Sequence, residues 1–256
     1  MIWPNHEWHE FALLSITVFF GRYALIPGLF YWILWKNPEK RWQHKKIQPE
    51  YPGIKAIQGE IAWSIMSLCI FVLVSLFLYF MYHEGYTKLY LDVSTHGWVY
   101  FGFSVLLMIL AHDTYFYWTH RMMHTDFLYR FHRVHHQYTN PSPWSSFAFH
   151  PVEAMIEVGI VIIIVLIIPA HPLAVSLFLF YMTSLNVIGH SGFELFPPGY
   201  TDHWFWKLHN TSTHHNMHHK YGRFNYGIYF NFWDRLMKTN HPDYIATFRK
   251  VSSNVV

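Results

Sequence analysis

Three short histidine clusters, His120-Arg-Met-Met-His124, His132-Arg-Val-His135-His136 and His215-Asn-Met-His218-His219, sit at the ends of apolar stretches of this chain. A membrane-spanning helix needs about 20 mostly apolar residues. Ile61 to Tyr82 is the cleanest such run, and Trp98 to Trp118 is another, turning polar at His112, Asp113 and Thr114. Phe11 to Trp35 has the length but is interrupted by Gly21-Arg22 and by Pro27. Val152 to Ile168 and Leu173 to Ile188 are shorter runs separated by Pro169-Ala-His-Pro172. Prolines in that turn cannot continue a helix, so the two runs read as a tight helical hairpin. The hairpin either spans the bilayer or dips into it.

Composition agrees with a lipid environment. The chain is 52% hydrophobic and only 13% charged, against roughly 25% charged in a soluble domain. The net charge of +3 carries no nucleic-acid signal. Cys69 is the single cysteine, so no intrachain disulfide forms, and within its apolar run it reads as a small buried residue. The start, Met1-Ile-Trp-Pro-Asn-His-Glu, lacks the positive region of a signal peptide. The expected architecture is all-α and integral to the membrane. It has a stalk of about four to five spans, the hairpin included, under a histidine-rich cap.

Orientation follows lysine and arginine. Segment 36–58 carries Lys36, Lys40, Arg41, Lys45, Lys46 and Lys55, whereas the first ten residues carry neither type. The segment should therefore be cytoplasmic. With five spans, residues 119–151 and the tail after 189 return to the same side. Both are basic (Arg121, Arg130, Arg133; Lys207, Lys220, Arg223, Arg235, Lys238) and together they hold all three clusters.

On a helix, residues three and four apart share a face. His120 and His124 are so spaced, as are His132, His135 and His136, and His215, His218 and His219. Each cluster can aim its imidazoles into one space from a rigid element. Neutral imidazole suits iron, zinc, copper and nickel. These histidines exceed the roughly four ligands one zinc takes, so two metals are the economical reading. A lone cysteine argues against an iron–sulfur cluster.

At these residues the chain resembles the sterol desaturase and fatty acid hydroxylase superfamily. Asp113-Thr-Tyr-Phe-Tyr-Trp-Thr-His120-Arg-Met-Met-His124, His132 to His136 and His215 to His219 look like its three histidine boxes. Phe147-Ala-Phe-His150-Pro-Val-Glu153, Gly189-His190-Ser-Gly-Phe-Glu194, Phe224-Asn-Tyr-Gly227 and Phe232-Trp-Asp-Arg235 are similar to further family segments. The resemblance covers about 112–240 and looks closest to the sterol C-5 desaturase branch, with the alkylglycerol monooxygenase branch also similar. It implies a non-haem centre of two iron ions that uses O2 to attack an unactivated C–H bond of a lipid. It also implies that His190, at the end of the hairpin, supplies a ninth ligand. The expected ligands are thus His120, His124, His132, His135, His136, His190, His215, His218 and His219. The expected division is 1–110 as N-terminal spans, 111–241 as the catalytic region and 242–256 as a tail.

Asp113 lies seven residues before His120, on nearly the same face, and is a candidate acceptor for a ligand's Nδ1–H. His214 is a candidate supporting donor. His112 lies about 80° around the helix from His120 and falls outside the ligand set. His150, before Pro151, suits packing or capping as well as ligation. His203 and His209 have no strong claim, and Trp233 reads as packing or an interfacial anchor.

The function these expectations support is hydroxylation or desaturation of a sterol-like or fatty acyl lipid entering from the bilayer. The chain has no G-x-G-x-x-G and no flavin or haem fingerprint. Electrons would come from a separate cytochrome b5-like or ferredoxin-like carrier docking on the basic face. The membrane would be a bacterial inner membrane or the endoplasmic reticulum. The rival is a membrane metal-binding protein or metal transporter, which should place ionisable ligands along a path through the bilayer.

Overall fold

The computed structural model describes residues 7–36 and 41–253. Lys40, part of the orientation argument, and residues 1–6 lie outside them. The described residues form nine α-helices, short 3₁₀ and π turns and three isolated β-bridges, with no strand. Four helices are long and apolar enough to cross a membrane, counting α1 with the turn that prolongs it. These are α1 (Trp8–Phe30), α2 (Ile54–His83), α3 (Gly97–Met123) and α6 (Pro172–Gly189). The chain is a multi-pass, all-α membrane protein.

The interrupted first run is one helix. α1 passes through Pro27 and continues as a π turn over Tyr31–Trp35. A membrane helix tolerates proline where π adjustments and neighbouring helices take up the freed backbone groups. α2 starts at Ile54, about two turns before the apolar run, and lifts buried Glu60 into the cap. There Glu60 accepts the backbone N–H (3.1 Å) and the hydroxyl of Ser142. Tyr23 and Ser64 both donate to the Trp144 carbonyl, at 2.8 and 2.9 Å. Two spans thus grip the turn Pro143–Phe147 that leads into the hairpin.

The hairpin forms as expected. α5 (Pro151–Ile167) and α6 each begin with proline, whose missing N–H is no loss at the first helical position. Each is preceded by a histidine whose Nδ1 accepts the N–H two residues on: Val152 to His150 at 3.2 Å, Leu173 to His171 at 3.1 Å. His150 is therefore a cap. At the end of the bundle away from the histidine clusters, Lys88 and Tyr90 donate to the carbonyls of Val165 and Ala170. Around the hairpin, Val74, Leu78, Met108, Ile160, Ile164 and Phe178 form the main apolar core.

Cys69 is exposed rather than buried. It shares a face of α2 with Ile65 and Leu73, both also exposed. On a spanning helix that face meets lipid, so an apolar residue there needs no protein cover.

The remaining helices form the cap: α4 (Asp126–His136), α7 (Ser212–Tyr221), α8 (Phe232–Leu236) and α9 (Tyr244–Ser252). The basic segment after α1 packs on the same end. Glu194 donates its N–H to the Lys45 carbonyl (2.8 Å), and Gln48 bonds Asn216 of α7 (2.9 Å). The Lys46 ammonium sits 4.6, 4.5 and 5.2 Å from the rings of Trp35, Tyr51 and Phe193, a cation–π cage at the top of α1.

The segment 41–52 and the histidine cap thus share one end of the bundle, and Glu84 lies at the other. Single cysteines Glu50→Cys and Lys220→Cys, in a Cys69→Ala background, should react with an impermeant maleimide from the same side. Glu84→Cys should react only from the opposite side. A shared side for all three would overturn this arrangement.

Candidate metal centre

α7 poses the central question. Every residue from Ser212 to His219 is buried, although seven of the eight are polar. Buried helices are normally apolar all round, and buried polar groups need partners. Thr211 caps the helix by accepting the His214 N–H at 3.3 Å, and Glu194 accepts the Thr213 N–H at 2.9 Å. The His218 and His219 rings of α7 meet backbone carbonyls on one side, and His215, His218 and His219 meet other imidazoles on the other.

Nine histidines meet in two groups. His120, His124, His132, His136 and His218 form one, and His135, His190, His215 and His219 the other. Within each group the nearest ring nitrogens all lie within 4.8 Å of one another. The second and third clusters do not each fill one space. α4 sends His132 and His136 to the first group and His135 to the second. α7 reverses this, sending His218 to the first and His215 and His219 to the second. Each helix thus stitches the two groups together. α3 ends at Met123, so half-buried His124 joins from the first residue beyond it.

Hydrogen bonds behind the rings set the tautomers. The Nδ1–H groups of His120, His190, His218 and His219 donate to the carbonyls of Tyr226 (2.8 Å), Asn186 (2.8 Å), Phe224 (2.6 Å) and Tyr138 (3.1 Å). His132 Nδ1 meets the buried Glu153 carboxylate at 2.7 Å. The Nε2 atoms of the four rings bonded to carbonyls are left as lone pairs, and so is that of His132 when Glu153 is ionised. His120 and His132 then face each other at 3.1 Å, and His190 and His219 at 3.2 Å. No proton lies between the two nitrogens of either pair. Such contacts are repulsive unless a cation takes both lone pairs. Imidazoles bound to one metal at about 2.0–2.1 Å would lie roughly 3–3.4 Å apart. One such pair occurs in each group, so the donor set fits two metal ions.

Burial also keeps the rings in their ligand form. Desolvation, with the neighbouring histidines adding, holds His132, His135, His136, His215, His218 and His219 well below the ordinary histidine value. Burial lowers His190 to about 4 and also lowers His124.

Carboxylates surround the groups and enter neither. Asp234 accepts the N–H groups of Tyr226 (2.9 Å) and Gly227 (2.7 Å), fixing the carbonyl that orients His120. A Cβ at Gly227 would come within 2.5 Å of the Phe230 carbonyl, so only glycine fits that turn. Asp113 does not reach a ligand ring. Its carboxylate accepts the N–H groups of Tyr229 (3.0 Å) and Phe230 (3.1 Å), tying α3 to the same loop. His214 also stands back, 3.2 Å from Asn240 and 3.6 Å from Asp234. His112 packs against Phe178 and Tyr229, His209 bonds the Asn210 carbonyl, and exposed His203 caps a short turn. The indole of Trp233 reaches Thr114 at 3.2 Å. Sequence reasoning gave no role to Glu153, Glu194 or Asp234. Glu153 and Glu194 carried a signal, each a carboxylate set among apolar or aromatic residues, whereas Asp234, beside Arg235, carried none.

The fatty acid hydroxylase profile matches residues 105–239, which contain all nine histidines and the carboxylates that brace them. The chain belongs to the fatty acid hydroxylase family. Among its relatives, a Delta(7)-sterol 5(6)-desaturase of Gibberella zeae is 30% identical over 69% of this chain and 55% of its own length. A lathosterol oxidase of Rattus norvegicus is 32% identical over 70% of this chain and 60% of its own. A Delta(7)-sterol 5(6)-desaturase of Leptosphaeria maculans is 29% identical over 91% and 63%. The chain thus spans less than two thirds of the length of each of these family members. No solved structure matches it.

Glu153→Gln keeps the shape but weakens the anchor of His132. Metal affinity of the first group should fall about 10–100-fold, as for other partners of ligating histidines, read by competition with a chelator. Unchanged affinity would separate Glu153 from the site. In metal-free protein the rings resist protonation when folded but titrate near 6.5 when unfolded. Thermal stability should therefore hold above pH 6.5 and decline as pH falls from there toward about 4.

Proposed function

We propose that this chain is a membrane-bound non-haem di-iron oxidoreductase. It uses O2 and external electrons to hydroxylate or desaturate an unactivated C–H position of a sterol-like or fatty acyl lipid. One observation carries the reading. A cavity of about 490 Å³ runs through the bundle, mostly apolar, and its lining includes His120, His132, His135, His190 and His215. A transporter would string ionisable ligands across the bilayer. Here both groups gather at one end, at the head of a cavity suited to an apolar molecule.

Two iron ions held by the five-histidine and four-histidine groups would supply the chemistry that activates O2 against a C–H bond. The protein's residues place the substrate. Phe116 packs 4.9 Å from His120 and Phe149 5.1 Å from His135, forming a dry wall where the cavity meets both groups. Excluding water there protects a reactive centre from side reactions. The names of the relatives point to a sterol nucleus as one substrate class. Holding one C–H against the site is the protein's task, because alcohol and alkene differ only in the step after the first hydrogen loss.

Electrons come from a cytochrome b5-like or ferredoxin-like carrier. Exposed Arg130, Arg133, Lys220 and Arg223 border the cap and suit an acidic partner. The lysine and arginine bias of this end supports a cytoplasmic orientation.

Lipid extracts of cells with and without the gene, grown under 18O2, test the proposal. A labelled hydroxyl in a gene-dependent lipid signals hydroxylation, and loss of two hydrogens signals desaturation. His135→Ala and His218→Ala, one from each group, should lower product more than about 100-fold while the protein still inserts, since each removes a ligand rather than its support. Exposed His203→Ala should retain activity. Equal product from all three variants would remove the histidine groups from catalysis.

A further inference from the structure

Arg22 is the odd residue of the cavity. It lies on a span, on the stripe of α1 that lines the cavity with Phe11, Ser15 and Phe19. This spacing of three and four residues marks one helix face, so Arg22 turns inward rather than toward lipid. It is partly buried, and it lines the cavity. Among the described residues no hydrogen bond or ion pair reaches its guanidinium, which lies 5.3 Å from the centre of the Phe19 ring. The cavity's carboxylates do not serve it. Glu153 is engaged by His132, and among the described residues no hydrogen bond or ion pair joins Arg22 to Glu153 or Glu157. Charged residues within spans are rare, pair with a partner, and mark substrate paths.

We propose that Arg22 is the headgroup anchor of the cavity, and that the lipid it takes is a single-tailed amphiphile with an anionic head, a carboxylate or a phosphate monoester. The guanidinium fork pairs bidentately with either group, and its charge strengthens both bonds in a dry site. A row of cavity-lining rings leads from this anchor to the histidines. Phe19 meets Phe71 at 6.2 Å, Phe71 meets Phe147 at 6.0 Å, Phe147 meets Phe149 at 6.3 Å, and Phe149 meets His135 at 5.1 Å. The head rests on Arg22 and the tail lies along this aromatic floor. The carbon presented to the histidine groups is then well inside the chain, away from the head. This assignment rests on the reading that the cavity holds the lipid to be oxidised, and it narrows that lipid from a neutral sterol to an acidic chain.

Equilibrium binding of radiolabelled ligands to the full chain, in phosphatidylcholine nanodiscs without O2 or reductant, tests it. The probes are palmitate, hexadecyl phosphate, hexadecanol and lathosterol. At least one acidic probe should bind about tenfold or more tightly than hexadecanol, a charge-assisted pair against a neutral one. Tighter palmitate identifies a carboxylate, and tighter hexadecyl phosphate a phosphate. Arg22→Gln should bring the acidic probes to within about twofold of hexadecanol and leave hexadecanol binding unchanged. Arg22→Lys, which keeps the charge without the fork, should fall between. Hexadecanol or lathosterol binding as tightly as both acids in the unaltered protein would overturn the proposal without any variant. So would an acid preference that survives in Arg22→Gln. Because no turnover is measured, failure of oxidation and failure of headgroup recognition are read separately.

Discussion

Two pairs of imidazoles, one in each histidine group, face each other lone pair to lone pair. His120 with His132 and His190 with His219 stand 3.1 and 3.2 Å apart, with their Nδ1 protons committed to oxygen acceptors behind them. Buried neutral rings in this arrangement repel unless a cation joins them, and the cap is organised around that constraint. α7 is buried although polar because its imidazoles point at the two groups. Segments 138–153 and 224–234 fold back on the rings because they carry the carbonyls and carboxylates that fix the tautomers.

A division of labour separates the charge types. The two groups are built from imidazole nitrogen, and the buried carboxylates stand behind them. Asp113 and Asp234 grip backbone N–H groups of the 226–230 loop, and Glu194 grips those of Phe196 and Thr213. Only Glu153 touches a ligand ring. Each of these acids is buried, and accepting charge-assisted hydrogen bonds offsets its desolvation. The cavity below differs: its walls are mostly apolar, and among the described residues no hydrogen bond or ion pair reaches its inward Arg22.

Much of this was legible in the amino-acid order. The spans, the hairpin with its proline-bounded turn and the three clusters follow from hydropathy, proline chemistry and the spacing of helical faces. Errors arose where a residue's value depends on what packs against it. Cys69 reads as core in any apolar run, but only the bundle shows which face of α2 meets lipid. Asp113 lies on the right face of α3 for a ligand's Nδ1, yet the 226–230 loop arrives first and takes its carboxylate. Pro27 looks like a break, yet α1 passes through it.

By itself the sequence determined that this is a multi-pass helical membrane protein with its histidines gathered at span ends. Periodicity and apolar length are local properties, and local order encodes them. Only the tertiary structure decided how nine histidines divide into five and four. Two rings one helical turn apart share a face, but the third ring of α4 or α7 points far enough around the axis to enter the other group. Which group it enters depends on where α3, α6 and the facing helix stand. The tertiary structure alone also turned Arg22 inward, since a helix of nearly uniform hydrophobicity carries no signal of its own inner face.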